Sequence, residues 1–174
     1  MKNKTVMLIQ AAAFLFLLVM NLPGQSVFIT PETKTLRAGD EFDVRIALDT
    51  TSPDVTKSVT AFQACMELSD NLEIIDGIDG VVVYDYVWQL SAKKSLVDNR
   101  LELAFGSRSG GCFGVNNGIA QFTIRAKMPG DAFIRLIPEK CAALTPFNEE
   151  IISGNVVSGE YTITKPARNY WILY

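Results

Sequence analysis

From Ser26 onward, apolar and polar residues alternate in steps of two, and turn-forming residues recur every eight to fifteen positions. That period puts successive side chains on opposite faces and predicts half-buried strands. Ser26–Thr30 is a first strand, closed by Pro31. After the turn Arg37-Ala38-Gly39-Asp40, residues Glu41–Leu48 form a second, with Phe42, Val44, Ile46 and Leu48 on one face. Asp49–Lys57 is polar, contains Pro53 and is a loop. Val59–Leu68 is a third strand, with Phe62, Ala64, Met66 and Leu68 opposite Gln63, Cys65 and Glu67. Leu72–Ile75, Val81–Leu90 and Arg100–Phe105 follow, separated by the turns at Ser69-Asp70-Asn71 and Asp76–Gly80 and by the polar stretch Ser91–Asn99.

The Gly-, Ser- and Asn-rich segment Gly106–Gly118 is a long loop that leads into Ile119–Ala126. Ala132–Leu144 is interrupted at Pro138, which marks an edge strand or a bulge. Asn155–Thr164 is the last strand. No amphipathic helix competes anywhere after Ser26. Nine short strands without helices predict an all-β fold, a nine-stranded antiparallel two-sheet sandwich of jelly-roll type.

The chain before Ser26 has a different pattern. Lys2 and Lys4 precede an almost wholly apolar run, Val6–Leu22, and Pro23-Gly24-Gln25-Ser26 follows with small residues at Gly24 and Ser26. This order of charged, apolar and small residues is that of a secretory signal peptide. An uncleaved membrane anchor is the alternative, because the run is close to the shortest span of roughly 17 residues. The expected organisation is a leader at 1–26, one sandwich at 27–164 and a short aromatic tail at 165–174. A single core of this size needs no disulfide. The expected location is secreted or at the cell surface.

Composition narrows the chemistry. The net charge is −3 and no basic cluster stands out, so nucleic acid is not an expected partner. The chain has no histidine, which removes Ser-His-Asp and Cys-His nucleophile systems and the commonest neutral-pH base. Three cysteines in no CxxC spacing, without histidine, do not suggest zinc. Asp76–Gly80 lacks the ligand spacing of an EF-hand and is a turn. Asp85, Glu102, Glu139, Glu149 and Glu150 do not define a glycosidase pair, and surface charge explains them. No enzyme, metal or cofactor is expected. Tyr84, Tyr86 and Trp88, two apart on Val81–Leu90, share one face. They are either a platform on which sugar rings or a protein stack, or core residues.

Several stretches, taken in order, resemble the cohesin domain family, the β-sandwiches of bacterial surface scaffolds. Leu36–Val44 resembles the Gly-Asp turn into its second strand. Phe62–Leu68 followed by Asn71-Leu72-Glu73-Ile74-Ile75 is similar to its third and fourth. Leu103–Gly106, Gly118–Ala126 and Gly154–Ile163 resemble later strands. The likeness covers residues 27 to 164. It departs from the family in its three cysteines and in the long loop around Ser52-Pro53-Asp54. The resemblance implies a non-catalytic binding module near polysaccharides. Its partner would be a dockerin-like or other surface protein, or alternatively polysaccharide itself. Membrane contact would come only through an uncleaved N-terminal segment. By resemblance, a protein partner would lie on the face formed by Val59–Leu68, Val81–Leu90, Arg100–Phe105 and Ala132–Leu144.

The same strand plan implies a Cys112–Cys141 disulfide with Cys65 free. Cys65–Cys141 is the rival pairing, and three reduced thiols remain open.

Overall fold

The computed structural model describes residues 26–50, 58–85, 87–108, 110–112, 114–147 and 156–166. Among these residues, thirteen strands build two sheets: β1 (Ser26–Thr30), β2 (Thr33–Arg37), β3 (Glu41–Thr50), β4 (Ala61–Leu68), β5 (Leu72–Ile74), β6 (Val82–Val83), β7 (Leu90–Val97), β8 (Arg100–Gly106), β9 (Gly114–Ala126), β10 (Gly130–Leu136), β11 (Ala142–Leu144), β12 (Val156–Val157) and β13 (Gly159–Thr164). One sheet runs β12-β1-β3-β9-β5, with β6 also on β9. The other runs β2-β13-β10-β4-β8-β7, with β11 also on β4. Among the described residues no helix is long and apolar enough to cross a membrane.

Period-two alternation decides which side of each sheet is core. On β4, Phe62, Ala64, Met66 and Leu68 are buried; on β8, Leu101, Leu103 and Phe105; on β9, Phe122 and Ile124. The β4 and β8 residues of one sheet meet Phe122 and Ile124, with Val27, Ile29, Val44, Ile46 and Leu48, of the other in one apolar layer. Phe42 and Tyr161 close one region of it at 5.1 Å between ring centroids. The buried Tyr161 hydroxyl is satisfied by donating to the Pro31 carbonyl at 3.0 Å, and burial holds its ionisation above the usual phenol range.

The expected two-sheet sandwich is therefore present, and the differences are local. Val81–Leu90 is not one strand. After β6 the backbone turns: the amides of Val87 and Trp88 both donate to the Tyr84 carbonyl, at 3.2 and 3.1 Å. Pairing with β8 falls instead to β7, inside the polar stretch read as a connection. β2 lies in the stretch between Pro31 and the Arg37–Asp40 turn, for which the alternation predicts no strand. It pairs in parallel with β13, as β12 does with β1, so the sandwich is not wholly antiparallel. Pro138 marks a break within the eighth strand: β10 ends opposite Met66, a single 3-10 turn Pro138–Lys140 leaves the sheet, and β11 resumes opposite Gln63. β9 starts five residues earlier than the alternation indicates, at Gly114 rather than Ile119, with register irregularities against β3. The proposed leader, the loop 51–57 and the tail from 167 lie outside the described residues.

Candidate docking face

Tyr84 and Trp88 do not form a shared platform. Trp88 is buried, with its ring 6.1 Å from that of Phe62 and its indole N–H donating to the Gly118 carbonyl at 3.3 Å. Tyr84 is half-buried on the other sheet: its hydroxyl donates to Gln121 Oε1 at 3.0 Å, and the Arg45 guanidinium lies 5.6 Å from its ring centre. This close seat explains a glycine, because a Cβ at Gly118 would stand 2.6 Å from Tyr84 Cε2. Tyr86 lies outside the described residues. Tyr84 and Trp88 therefore converge on Gly118 and do not share a surface.

The three cysteines are separate, buried thiols. Cys112 bridges Val59 through backbone bonds of 3.0 and 2.8 Å. Cys141 immediately precedes Ala142, which pairs with Gln63. Four residues of extended chain separate those levels, roughly 13 Å at about 3.3 Å per residue. A disulfide needs Cα atoms within about 6.8 Å, so the register keeps the expected Cys112–Cys141 pair apart. Cys65 shares the outward side of β4 with Gln63 and Glu67, and Cys141 packs with the core. Burial pushes the Cys112 thiol up to about 11. It also raises those of Cys65, where the Glu102 carboxylate adds to the effect, and Cys141.

The surface left open by this packing is the outer side of the larger sheet. Register puts its side chains in rows across four strands. The first is Leu144, Ala61, Gly106 and Leu90; the second is Ala142, Gln63, Ala104 and Lys93. The third brings Cys65, Glu102 and Ser95 together, and the fourth Arg135, Glu67, Arg100 and Val97. Six of the eight residues in the first two rows are small or apolar, the exceptions being Gln63 and Lys93, and they frame a shallow hollow of about 200 Å³ with Gln63 and Ala92 in its lining. The last two are ionic. Arg100 Nη2 meets Glu67 Oε1 at 2.5 Å, and Lys93 pairs with Glu102. A broader depression of about 680 Å³ lies over this end, bordered by Phe133 and Val97. The turn Pro138–Lys140 stands between the two halves on the β10–β11 side.

These carboxylates are not set up as an acid–base pair. The hydrogen bond with Lys93 holds Glu102 below the usual carboxylate range, the opposite of what a general acid requires. Asp85 is exposed on the turn after β6, and Glu139 on the turn after β10. Glu149 and Glu150 lie outside the described residues. What the face offers is flat area with an apolar half and a charged half, the anatomy of a protein contact. Alternation alone identifies its outward positions. It does not identify the alanine floor, because alanine is as common inside as outside.

No family model matches the chain, and no curated protein matches it by sequence. Solved structures do match in fold. A type III cohesin module from the cell-surface anchoring scaffoldin ScaE of Ruminococcus flavefaciens superposes with a TM-score of 0.60 at 12% identity, covering 83% of this chain and 90% of that one. The cohesin CaCohA2 of Clostridium acetobutylicum gives 0.58 at 14%, covering 81% and 92%. The third cohesin of ScaC, in complex with the ScaB dockerin from Acetivibrio cellulolyticus, gives 0.52 at 13%, covering 80% and 98%. The chain has a cohesin-like fold.

Proposed function

We propose that this cohesin-like sandwich is a non-catalytic protein-docking module. It is exported, and it receives a dockerin-type partner within a polysaccharide-related surface assembly. The observation that carries this is the open outer face of β11, β4, β8 and β7, where an apolar floor adjoins two ion pairs, Lys93–Glu102 and Arg100–Glu67. An exposed apolar area with a polar rim is what an interface needs and what a solvated surface ordinarily avoids. The fold supports the choice of partner: CaCohA2 and the third ScaC cohesin are both seen in complex with dockerins. Direct glycan stacking has less behind it, since Trp88 is buried and Arg45 stands over the Tyr84 ring.

The test is titration calorimetry of the secreted chain against recombinant dockerin-type modules encoded in the same genome. A saturable one-to-one isotherm with at least one of them is expected. Retention on insoluble polysaccharide, with no isotherm for any module, would replace docking by glycan binding.

A further inference from the structure

Among the described residues, the ionic end of the docking face is unevenly paired. Glu67 is held by Arg100 and Glu102 by Lys93. Arg135 and Lys140, on the β10–β11 side, have no carboxylate within 4.0 Å. Arg135 lies over the Phe133 ring, 4.4 Å from its centre, which holds the guanidinium on the face without neutralising it. Lys140 tops the turn that stands out of the sheet, and Glu139, its neighbour there, does not pair with it. Lys140 does act on Glu102 at longer range, and Arg135 pairs in register with Glu67, but these rows carry four bases, Lys93, Arg100, Arg135 and Lys140, against the two carboxylates Glu67 and Glu102. The chain as a whole carries −3, so this surplus beside the apolar floor is a local reversal of its charge.

Position connects the two features. Going along β11, the turn and β10, the face presents Leu144, Ala142, Lys140 and then Arg135. The cations therefore stand in line with the floor on one side of it. The floor is low because Ala61, Ala104, Ala142 and Gly106 bring no bulk to it, so it fits large side chains supplied from outside.

Resting on the docking proposal, we infer that the partner is acidic on one edge: an apolar ridge of large side chains fills the Ala61–Ala104–Ala142 floor, and flanking carboxylates meet Lys140 and Arg135. The ridge contributes affinity by burying apolar area. The cations select the partner and its orientation, because a partner with bases at those points meets like charge.

The measurement uses the full secreted chain and the dockerin-type module with the tightest isotherm in the panel above. Ala104→Arg fills the floor and should weaken binding at least about tenfold. Lys140→Glu combined with Arg135→Glu should do the same in low salt, with the difference shrinking in about 0.5 M NaCl as screening takes over. Thr162→Arg, on the outer side of β13 away from the floor, is the control and should change affinity less than about twofold. Thermal melts must match the parent chain, and Lys substitutions at carboxylates of the partner's edge, which should weaken binding to the parent chain and restore it to the double charge reversal, serve as a second arm. Binding that survives Ala104→Arg, or is indifferent to the double charge reversal, overturns this inference and leaves docking intact. An absence of binding by every module removes both.

Discussion

Trp88 decides between two chemistries at the scale of a single side chain. Its ring is 3% exposed, lies against Phe62 and closes the space between the sheets where β6 hands over to β7. Its N–H has a buried acceptor at Gly118. Trp88→Ala should therefore lower unfolding free energy by about 3–5 kcal/mol, the range for removing a large aromatic from a core. Chemical denaturation reads this directly, and a nearly unchanged midpoint with lost polysaccharide retention would return Trp88 to the surface. The sequence left this undecided for a physical reason. Spacing by two implies a shared face only if the backbone is extended, and here the amides of Val87 and Trp88 fold back to Tyr84. Asp85, between the two aromatics, was the available turn signal. The cysteines illustrate the same limit: their spacing carries no information about register, and register is what separates Cys112 from Cys141.

At the scale of elements, strands with one buried face were legible and strands at edges were not. β4 and β8 alternate because their inner residues fill the core. β7 is an edge strand, mostly exposed, so selection on its composition is for solubility and its pattern is polar on both sides. Lys94 shows how the edge is protected. It pairs with the inward Leu103, yet remains exposed, placing a charge on the core side of the last strand. The register irregularity between Ser91 and Lys93 adds a second obstacle to a neighbouring strand. Lys94→Val should remove the main obstacle and give concentration-dependent dimers or larger species in sedimentation velocity. A variant that stays monomeric at high concentration would show that the bulge alone suffices. Pro138 is a parallel case: the break was legible, but the outward course of the turn it opens, with Lys140 on the docking face, was not.

At the scale of the whole molecule, strand alternation and turn spacing were enough to specify a two-sheet sandwich, because one continuous core leaves few arrangements for so many short strands, and the cohesin likeness came from the resemblance of stretches such as Phe62–Leu68 and Gly118–Ala126 to that family. Export is the proposal that depends on the chain beyond the sandwich. A protein sent into oxidising surroundings must either pair its cysteines or bury them. Here all three are buried, and burial raises their thiols, so little reactive thiolate is present at neutral pH. The fold is thus suited to export without a disulfide. Cleavage after Ser26 would leave Val27 first, and Val27 already pairs with Leu48 and is buried, so the new terminus would be anchored in the sheet from its first residue. Expression of the full chain with its own N-terminus should give a secreted product starting at or next to Val27. Its three thiols should resist alkylation while folded and all react after denaturation under non-reducing conditions. An intact Met1 held in the membrane fraction would establish an anchor in place of a leader. A cross-linked cysteine peptide would show that the oxidising compartment reaches thiols that the core should shield.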